Sequence, residues 1–314
     1  MIVNTELENK GNLFPAKIID FKKDIDTLYF STDNDVILQL TVVRDSLLRF
    51  RYTTVGNFDN DFSYAITKYA SIGYNKLEIV ERKDRYEVIT SKLRCEISKE
   101  NLKVSIYDAK DGSLINQDEG GFHWEESYEH GGNIVKMSKV SNDGESYYGL
   151  GDKPNHLNLK GKRYDNWVTD SYAYGKDTDP IYKAIPFYTG LHHGKAYGIF
   201  FDNTFRSSFD FAQERRNVTS FWSQGGEMNY YFFYGPKMND YMDGFRCFTW
   251  NKTYFPNPKR MVKELLDDGF KTVAIIDPGI KIDKDYSVFK EGLEKDYFCK
   301  RADGAYMKGK VWPG

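Results

Sequence analysis

The sequence predicts two kinds of structure in one chain: an all-β N-terminal part of the sandwich type, and an α/β part after it. Three observations carry this. From Asp26 to about Tyr234 the apolar residues alternate in short runs broken by turn residues at regular spacing, which is the pattern of a β-sandwich. Beyond Gly235-Pro236 the period changes. There, Asp240 to Pro278 reads as strand, helix, strand, with an apolar stripe and then a run buried on both faces, as in a parallel sheet. The boundary is therefore placed at Gly235, giving domains 1–235 and 236–314.

The first strand candidates are Leu28–Phe30, Val36–Val42 and Leu47–Tyr52, with Arg44-Asp45-Ser46 as the turn between the last two. Leu77–Val80, Tyr86–Thr90, Leu93–Ser98 and Leu102–Tyr107 continue the alternation, and Lys110-Asp111-Gly112 is a strong turn before Leu114-Ile115. Strands return at Phe187–Leu191 and Tyr197–Phe201, joined through His193-Gly194. Between them, residues 153–186 are polar, aromatic and poorly periodic. A long irregular segment inside a compact domain is functional or disordered, and its density of Trp and Tyr argues against disorder. It is expected to be an ordered loop that reaches away from the sandwich. Asp170, flanked by Trp167 and Tyr172, is its most informative group. A carboxylate accepts paired hydrogen bonds from sugar hydroxyls, and neighbouring rings offer apolar faces. The plainer alternative is an Asp that holds its own loop through an Asx turn.

In the second part, Asn257 is placed to cap a helix that begins at Pro258, Met261, Val262, Leu265 and Leu266 form its stripe, and Gly269 ends it. Thr272 to Ile276 reads as a buried parallel strand, stopped by Asp277-Pro278-Gly279. Asp277 stands where α/β barrels keep their chemistry, or caps the following turn. Val288, Phe289, Gly292 and Leu293 suggest a short helix, and Arg301-Ala302-Asp303-Gly304 a turn.

Composition narrows the function. Lys and Arg total 44 against 46 Asp and Glu, for a net charge of -2, so no field gathers nucleic acid or an anionic membrane. Aromatics make up 16% of the chain, which a β-rich core explains and sugar-binding clefts also use. The N-terminus has no basic start and no apolar run, and no stretch approaches the ~18 apolar residues of a membrane span, so a cytoplasmic location is expected. Cys95, Cys247 and Cys299 suggest neither a disulfide framework nor a zinc site, and no cofactor or metal is expected. Asn217-Val218-Thr219 and Asn251-Lys252-Thr253 match the glycosylation acceptor only by chance if the chain is not secreted.

Three groups of residues together carry more than any of these features alone. One is Tyr148-Gly149-Leu150-Gly151-Asp152 with the Trp167–Tyr174 loop and Ile185-Pro186-Phe187-Tyr188. Another is Tyr241-Met242-Asp243-Gly244 with Phe248-Thr249-Trp250 and Phe255-Pro256-Asn257-Pro258. The last runs from Ile275-Ile276-Asp277-Pro278-Gly279-Ile280 through Asp296-Tyr297-Phe298 to Val311-Trp312-Pro313-Gly314. They resemble glycoside hydrolase family 31, the retaining α-glucosidase family. The resemblance implies a galactose-mutarotase-like β-sandwich followed by a (β/α)8 TIM barrel, here incomplete, with the sandwich loop entering the barrel's mouth. It implies hydrolysis of terminal α-linked glucose residues from oligosaccharides. It assigns substrate binding to Asp170, Ile275, Asp277 and Trp312.

The departures from the family pattern are as telling. Val168 stands where the family's loop often has Asn. The Asp-Ile pair that usually precedes the Tyr-Met-Asp-Gly motif is replaced by Met238-Asn239-Asp240, and the join at Lys237–Asn239 reads as an internal deletion. Residues 236–314 fall far short of the ~250 of a full barrel, so the chain reads as truncated after Gly314. The family's nucleophile motif and its acid/base are absent from the 314 residues, leaving the catalytic residues unassigned and the chain expected to be inactive alone. Two alternatives remain: a non-catalytic carbohydrate-binding module, and a sugar-epimerising enzyme needing His or Glu as acid and base. The oligomeric state is open.

Overall fold

The structure is a computed structural model, and it describes residues 11–66, 74, 76–127, 132–235, 256–269 and 280–308. The chain divides into two compact units, Met1–Met238 and Asn239–Gly314.

The described residues of the first unit form seventeen strands. They are β1 (Ile18–Asp24), β2 (Thr27–Thr32), β3 (Ile37–Arg44), β4 (Leu47–Thr53), β5 (Glu78–Glu81) and β6 (Arg85–Ile89). Next come β7 (Leu93–Ser98), β8 (Val104–Asp108), β9 (Leu114–Ser127), β10 (Gly132–Val140), β11 (Ser146–Gly151) and β12 (Arg163–Asn166). The remainder are β13 (Ala184–His192), β14 (Lys195–Phe201), β15 (Ser207–Phe211), β16 (Val218–Ser223) and β17 (Met228–Gly235). They make two antiparallel sheets. The eight-stranded sheet runs β1-β2-β3-β4-β17-β14-β13-β11, and the nine-stranded sheet runs β12-β15-β16-β10-β9-β8-β7-β6-β5.

Period-two alternation sets the register. Leu28 and Phe30, Leu38, Leu40 and Val42, and Leu48, Phe50 and Tyr52 face inward from one sheet. Leu93, Cys95 and Ile97, Val104 and Ile106, and Val135 and Met137 face inward from the other. All belong to one hydrophobic cluster, so the two sheets share a single core. The turns follow residue chemistry. His193 and Gly194 both have positive φ, 48° and 73°, the geometry of a two-residue hairpin turn of the primed kind. Asp111 Oδ1 accepts from the Ser113 amide and hydroxyl at 2.9 and 2.6 Å, which fixes the bend before β9.

A charged pair lies inside this core. Lys139 occupies an inward position of β10, in step with Val135 and Met137. Its Nζ donates to Asp118 Oδ1 on β9 at 2.7 Å, with side-chain exposures of 2% and 0%. Asp118 Oδ2 also accepts from the Val104 amide at 2.9 Å. The ammonium lies 5.1 Å from the ring centroid of Tyr230, which β17 brings from the opposite sheet. A bulge makes the pairing possible: the register steps from Ser138 opposite Gly121 to Lys139 opposite Asp118, and Gly121 takes φ +72°.

The second unit contains α1 (Pro258–Asp267) and α2 (Ser287–Glu294). Asn257 Oδ1 accepts from the Arg260 amide at 3.0 Å, Pro258 opens α1, and Gly269 has φ +88°, as expected from the sequence. No residue of α1 is buried, and Leu266 of its apolar stripe is 60% exposed. In α2, Gly292 is packed so closely on Phe298 that a Cβ would meet the ring at 2.4 Å. Phe289 and Phe298 lie 5.6 Å apart, and Phe298 meets Tyr306 edge-on at 6.1 Å. The strand expected at Thr272–Ile276 lies outside the described residues.

Removing one member of a buried ion pair strands the other charge. Lys139→Met is expected to cost about 3–5 kcal/mol in urea unfolding. Adding Asp118→Asn, which keeps an acceptor for the Val104 amide, should recover most of that loss.

Candidate functional site

Residues 153–186 leave β11 and return as β13. Two glycines allow the exit: Gly149 and Gly151 have φ +129° and +79°, and a Cβ on Gly151 would sit 1.8 Å from the Lys183 carbonyl oxygen. The segment is more regular than its sequence suggests. It contains β12, which pairs with β15 from Arg163–Asp210 to Asn166–Ser207. Alternation over four residues is too short to read against the surrounding polar run.

Buried polar groups tie the base of the loop. Lys153, 3% exposed, donates to the Asp165 carbonyl and to Asp179 Oδ1, both at 2.7 Å. Asp179 Oδ2 accepts from the Asp165 amide at 2.5 Å. The Asp165 carboxylate in turn accepts from Arg206 and from the Ser208 hydroxyl, both at 2.6 Å. Burial pushes the Asp165 carboxyl up, but the Ser208 and Arg206 hydrogen bonds outweigh it and hold the group below the usual carboxylate range. Further out, Asn155 and Lys162 both donate to Asp177 Oδ1 at 2.9 Å.

The tip points its apolar groups to solvent. Trp167, Val168, Tyr172, Tyr174 and Tyr182 are all exposed, Tyr172 at 98%. Tyr174 and Tyr182 meet edge-on at 5.9 Å. Asp170 is exposed, and its carboxylate accepts no hydrogen bond among the described residues. The Asx-turn alternative therefore fails. The tip is held instead by the Ser171 amide on the Thr169 carbonyl, 3.1 Å, and the Ser171 hydroxyl on the Pro180 carbonyl, 3.2 Å. Of the other residues assigned to substrate binding, Ile275, Asp277 and Trp312 lie outside the described residues.

Beside the loop is a cleft of about 430 Å³ that sequence reasoning missed. Its lining includes Tyr64, Asn166, Trp167, Asp202, Asn203 and Phe205. Asn166 is 5% exposed, and neither its Nδ2 nor its Oδ1 has a partner among the described residues. A buried unpaired polar group costs about 1–3 kcal/mol. The Asp202 carboxyl is pushed up by burial, against the Ser63 hydroxyl that donates to it at 2.8 Å and the nearby Arg49. Asn203 Nδ2 is committed to Ser223 Oγ and the Gly225 and Glu227 carbonyls, each at 3.0 Å, so it shapes the turn and does not face a ligand. The sequence signal was Asp202-Asn203-Thr204 after β14, which reads as an ordinary turn.

None of the described histidines lines this cleft, so they form no acid/base pair there. His123 stacks on Phe14 at 5.3 Å, and burial lowers its pKa. His192 and His193 meet through their Nδ1 atoms at 3.0 Å, with His192 Nε2 on the Ile115 carbonyl at 2.7 Å. His156 is exposed and away from the cleft lining, and His130 lies outside the described residues. Among the described residues no group of three or more His, Cys, Asp or Glu is placed to hold a metal ion. Cys95 is buried and Cys299 exposed, both free. No described helix is long and apolar enough to cross a membrane.

The two antiparallel sheets with their aromatic loop, and the unit after them that contains α1 and α2, each match a domain family. Residues 37–210 match the glycosyl hydrolase 31 N-terminal galactose mutarotase-like domain, and residues 238–314 match the glycosyl hydrolases family 31 TIM-barrel domain. The chain belongs to glycoside hydrolase family 31. It is 27% identical over 338 aligned positions to alpha-glucosidase 2 of Bacillus thermoamyloliquefaciens, covering 88% of this chain and 42% of that one. Because 338 positions exceed this chain's 314 residues, the relative carries residues inside the aligned stretch that this chain lacks. An alpha-glucosidase of Saccharolobus solfataricus is 28% identical over 58% of this chain and 34% of its own. A family 31 dextranase from Flavobacterium johnsoniae, solved with isomaltotriose, superposes with a TM-score of 0.64 at 29% identity, over 71% of this chain and 27% of that one. The chain thus spans less than half the length of each of these relatives.

Asp165 gives the loop a pH signature. A carboxyl whose folded pKa is depressed adds stability above its unfolded pKa, and that stability is lost as pH falls through the folded value. Trp167 fluorescence, isolated by difference against Trp167→Phe, is expected to stay constant from neutral pH down to the ordinary carboxylate range and to shift only below it. Asp165→Ala should bring the change to neutral pH and expose residues 153–186 to limited proteolysis.

Proposed function

We propose that these 314 residues are the substrate-approaching part of a retaining α-glucosidase, which removes terminal α-linked glucose from oligosaccharides. The two family 31 domain matches in their order support the reading, and the observation that carries it is Asp170, exposed in an aromatic loop with its carboxylate accepting no hydrogen bond among the described residues. In this reading residues 1–235 are a β-sandwich, residues 236–314 are the early part of a (β/α)8 barrel, and the location is cytoplasmic. Asp170, Ile275, Asp277 and Trp312 bind the sugar, and Val168 in place of Asn removes one hydrogen-bonding group.

Retaining hydrolysis needs two carboxyl groups about 5–5.5 Å apart, one as nucleophile and one as acid and then base. The segments that supply them in the family are not among these residues. The same fact favours a second reading, a non-catalytic carbohydrate-binding module that uses the exposed aromatic loop.

Purified 1–314 is expected to release no phenol from an aryl α-glucoside, while maltose or isomaltotriose perturbs its Trp fluorescence. Asp170→Ala should weaken that response at least tenfold, as loss of a charged hydrogen-bonding group does. Hydrolysis that survives repurification would overturn the catalytic assignment. An affinity unchanged by Asp170→Ala would overturn the role of the loop.

A further inference from the structure

The cleft beside Asp202 has the chemistry of a second sugar site. Its volume, about 430 Å³, suits a small-molecule ligand. Trp167 and Phe205 are half exposed, at 48% and 49%, and both line it, so they offer apolar faces to the C–H groups of a ring. Asp202 supplies acceptors. Among the described residues its only side-chain partners are the Ser63 hydroxyl at 2.8 Å and the Asn229 amide at 3.4 Å, and no cation is paired with it. The guanidinium of Arg49 is spent on Asp61 through two bonds of 2.7 Å and on Asn229 at 2.9 Å. Each Asp202 oxygen therefore keeps capacity for a hydroxyl donor.

Asn166 is the second, independent observation. It lies in the wall of the cleft, 95% removed from solvent, with an amide that is a donor and an acceptor and is paired with nothing described. Native proteins satisfy such groups with a protein, water or ligand partner. A polyhydroxy ligand pressed against this wall would supply both missing partners at once. A purely apolar ligand would supply neither, and an anion would be repelled by Asp202.

We propose that this cleft binds one pyranose unit of an α-glucan, with Asp202 and Asn166 pairing its hydroxyls and Trp167 and Phe205 covering its ring faces. The proposal rests on the carbohydrate reading above but uses a different carboxylate from Asp170, so the two can fail separately.

The test is isothermal titration of the full 314-residue chain with isomaltotriose, and with choline as a cationic control. Asp202→Asn keeps the size of the side chain, and Trp167→Ala removes an exposed ring; each is expected to weaken isomaltotriose binding about tenfold. Their urea midpoints should match the parent, which separates lost binding from lost folding. Ligand-observed NMR should show saturation transfer to the sugar C–H protons that Trp167→Ala diminishes. Undiminished affinity in both variants, with loss in Asp170→Ala, would overturn the cleft and leave the carbohydrate reading standing. Failure of the unaltered chain to bind isomaltotriose at all would overturn both. Choline binding equal to that of the sugar would overturn the assignment of a neutral ligand.

Discussion

The Lys139–Asp118 pair is the constraint on which the two-sheet unit depends. An ammonium in a hydrophobic core is tolerable only where a carboxylate and other polar contacts compensate its lost hydration. Here the carboxylate is on the adjacent strand, and the Tyr230 ring, with its hydroxyl 3.4 Å from Nζ, comes from the facing sheet. The arrangement cannot survive a slip. Moving β10 by one residue would turn Lys139 outward and leave Asp118 buried alone. The bulge at Gly121 is what brings the two side chains opposite each other, so register and electrostatics are fixed together.

The same device recurs at the base of the loop. Lys153 is nearly as buried as Lys139, and it too is matched by a carboxylate, that of Asp179, and by a backbone carbonyl. Its position joins the outgoing and returning arms of residues 153–186 to β12. The loop is therefore rigid at its root while its tip is polar on the backbone and aromatic on the side chains. That division suits a binding element: a fixed support and an exposed, chemically specific end.

Much of this was legible in the sequence, and the misses have physical causes. The inward residues of β2, β3, β4, β7 and β8 alternate cleanly because each strand has one face in the core. β1 gives little such signal because it is an edge strand with mostly exposed residues, Ile18 and Phe21 being its contacts with the core. The helix ends at Asn257 and Gly269 were readable since capping is local chemistry. The long-range pairs were not readable. Nothing near Lys139 announces that it is buried, and nothing near Asp202 or Asn166 announces a shared cleft, because these partners are separated along the chain and meet only after folding. Asp170 was found through its aromatic neighbours, a local cue, whereas Asp202 carries only a generic turn pattern.

The order of strands in the eight-stranded sheet has a consequence for biosynthesis. β17, the last strand of the unit, lies between β4 and β14 and hydrogen-bonds to both. While the ribosome has yet to deliver Met228–Gly235, the early meander and the later hairpin have no strand to join them, and each keeps an open edge. Closure must wait for nearly the whole unit and must bring together segments some 180 residues apart, as Arg49 and Asn229 are when they bond across it. Until that final strand arrives, the two open edges are the places where a growing chain could pair with a neighbour.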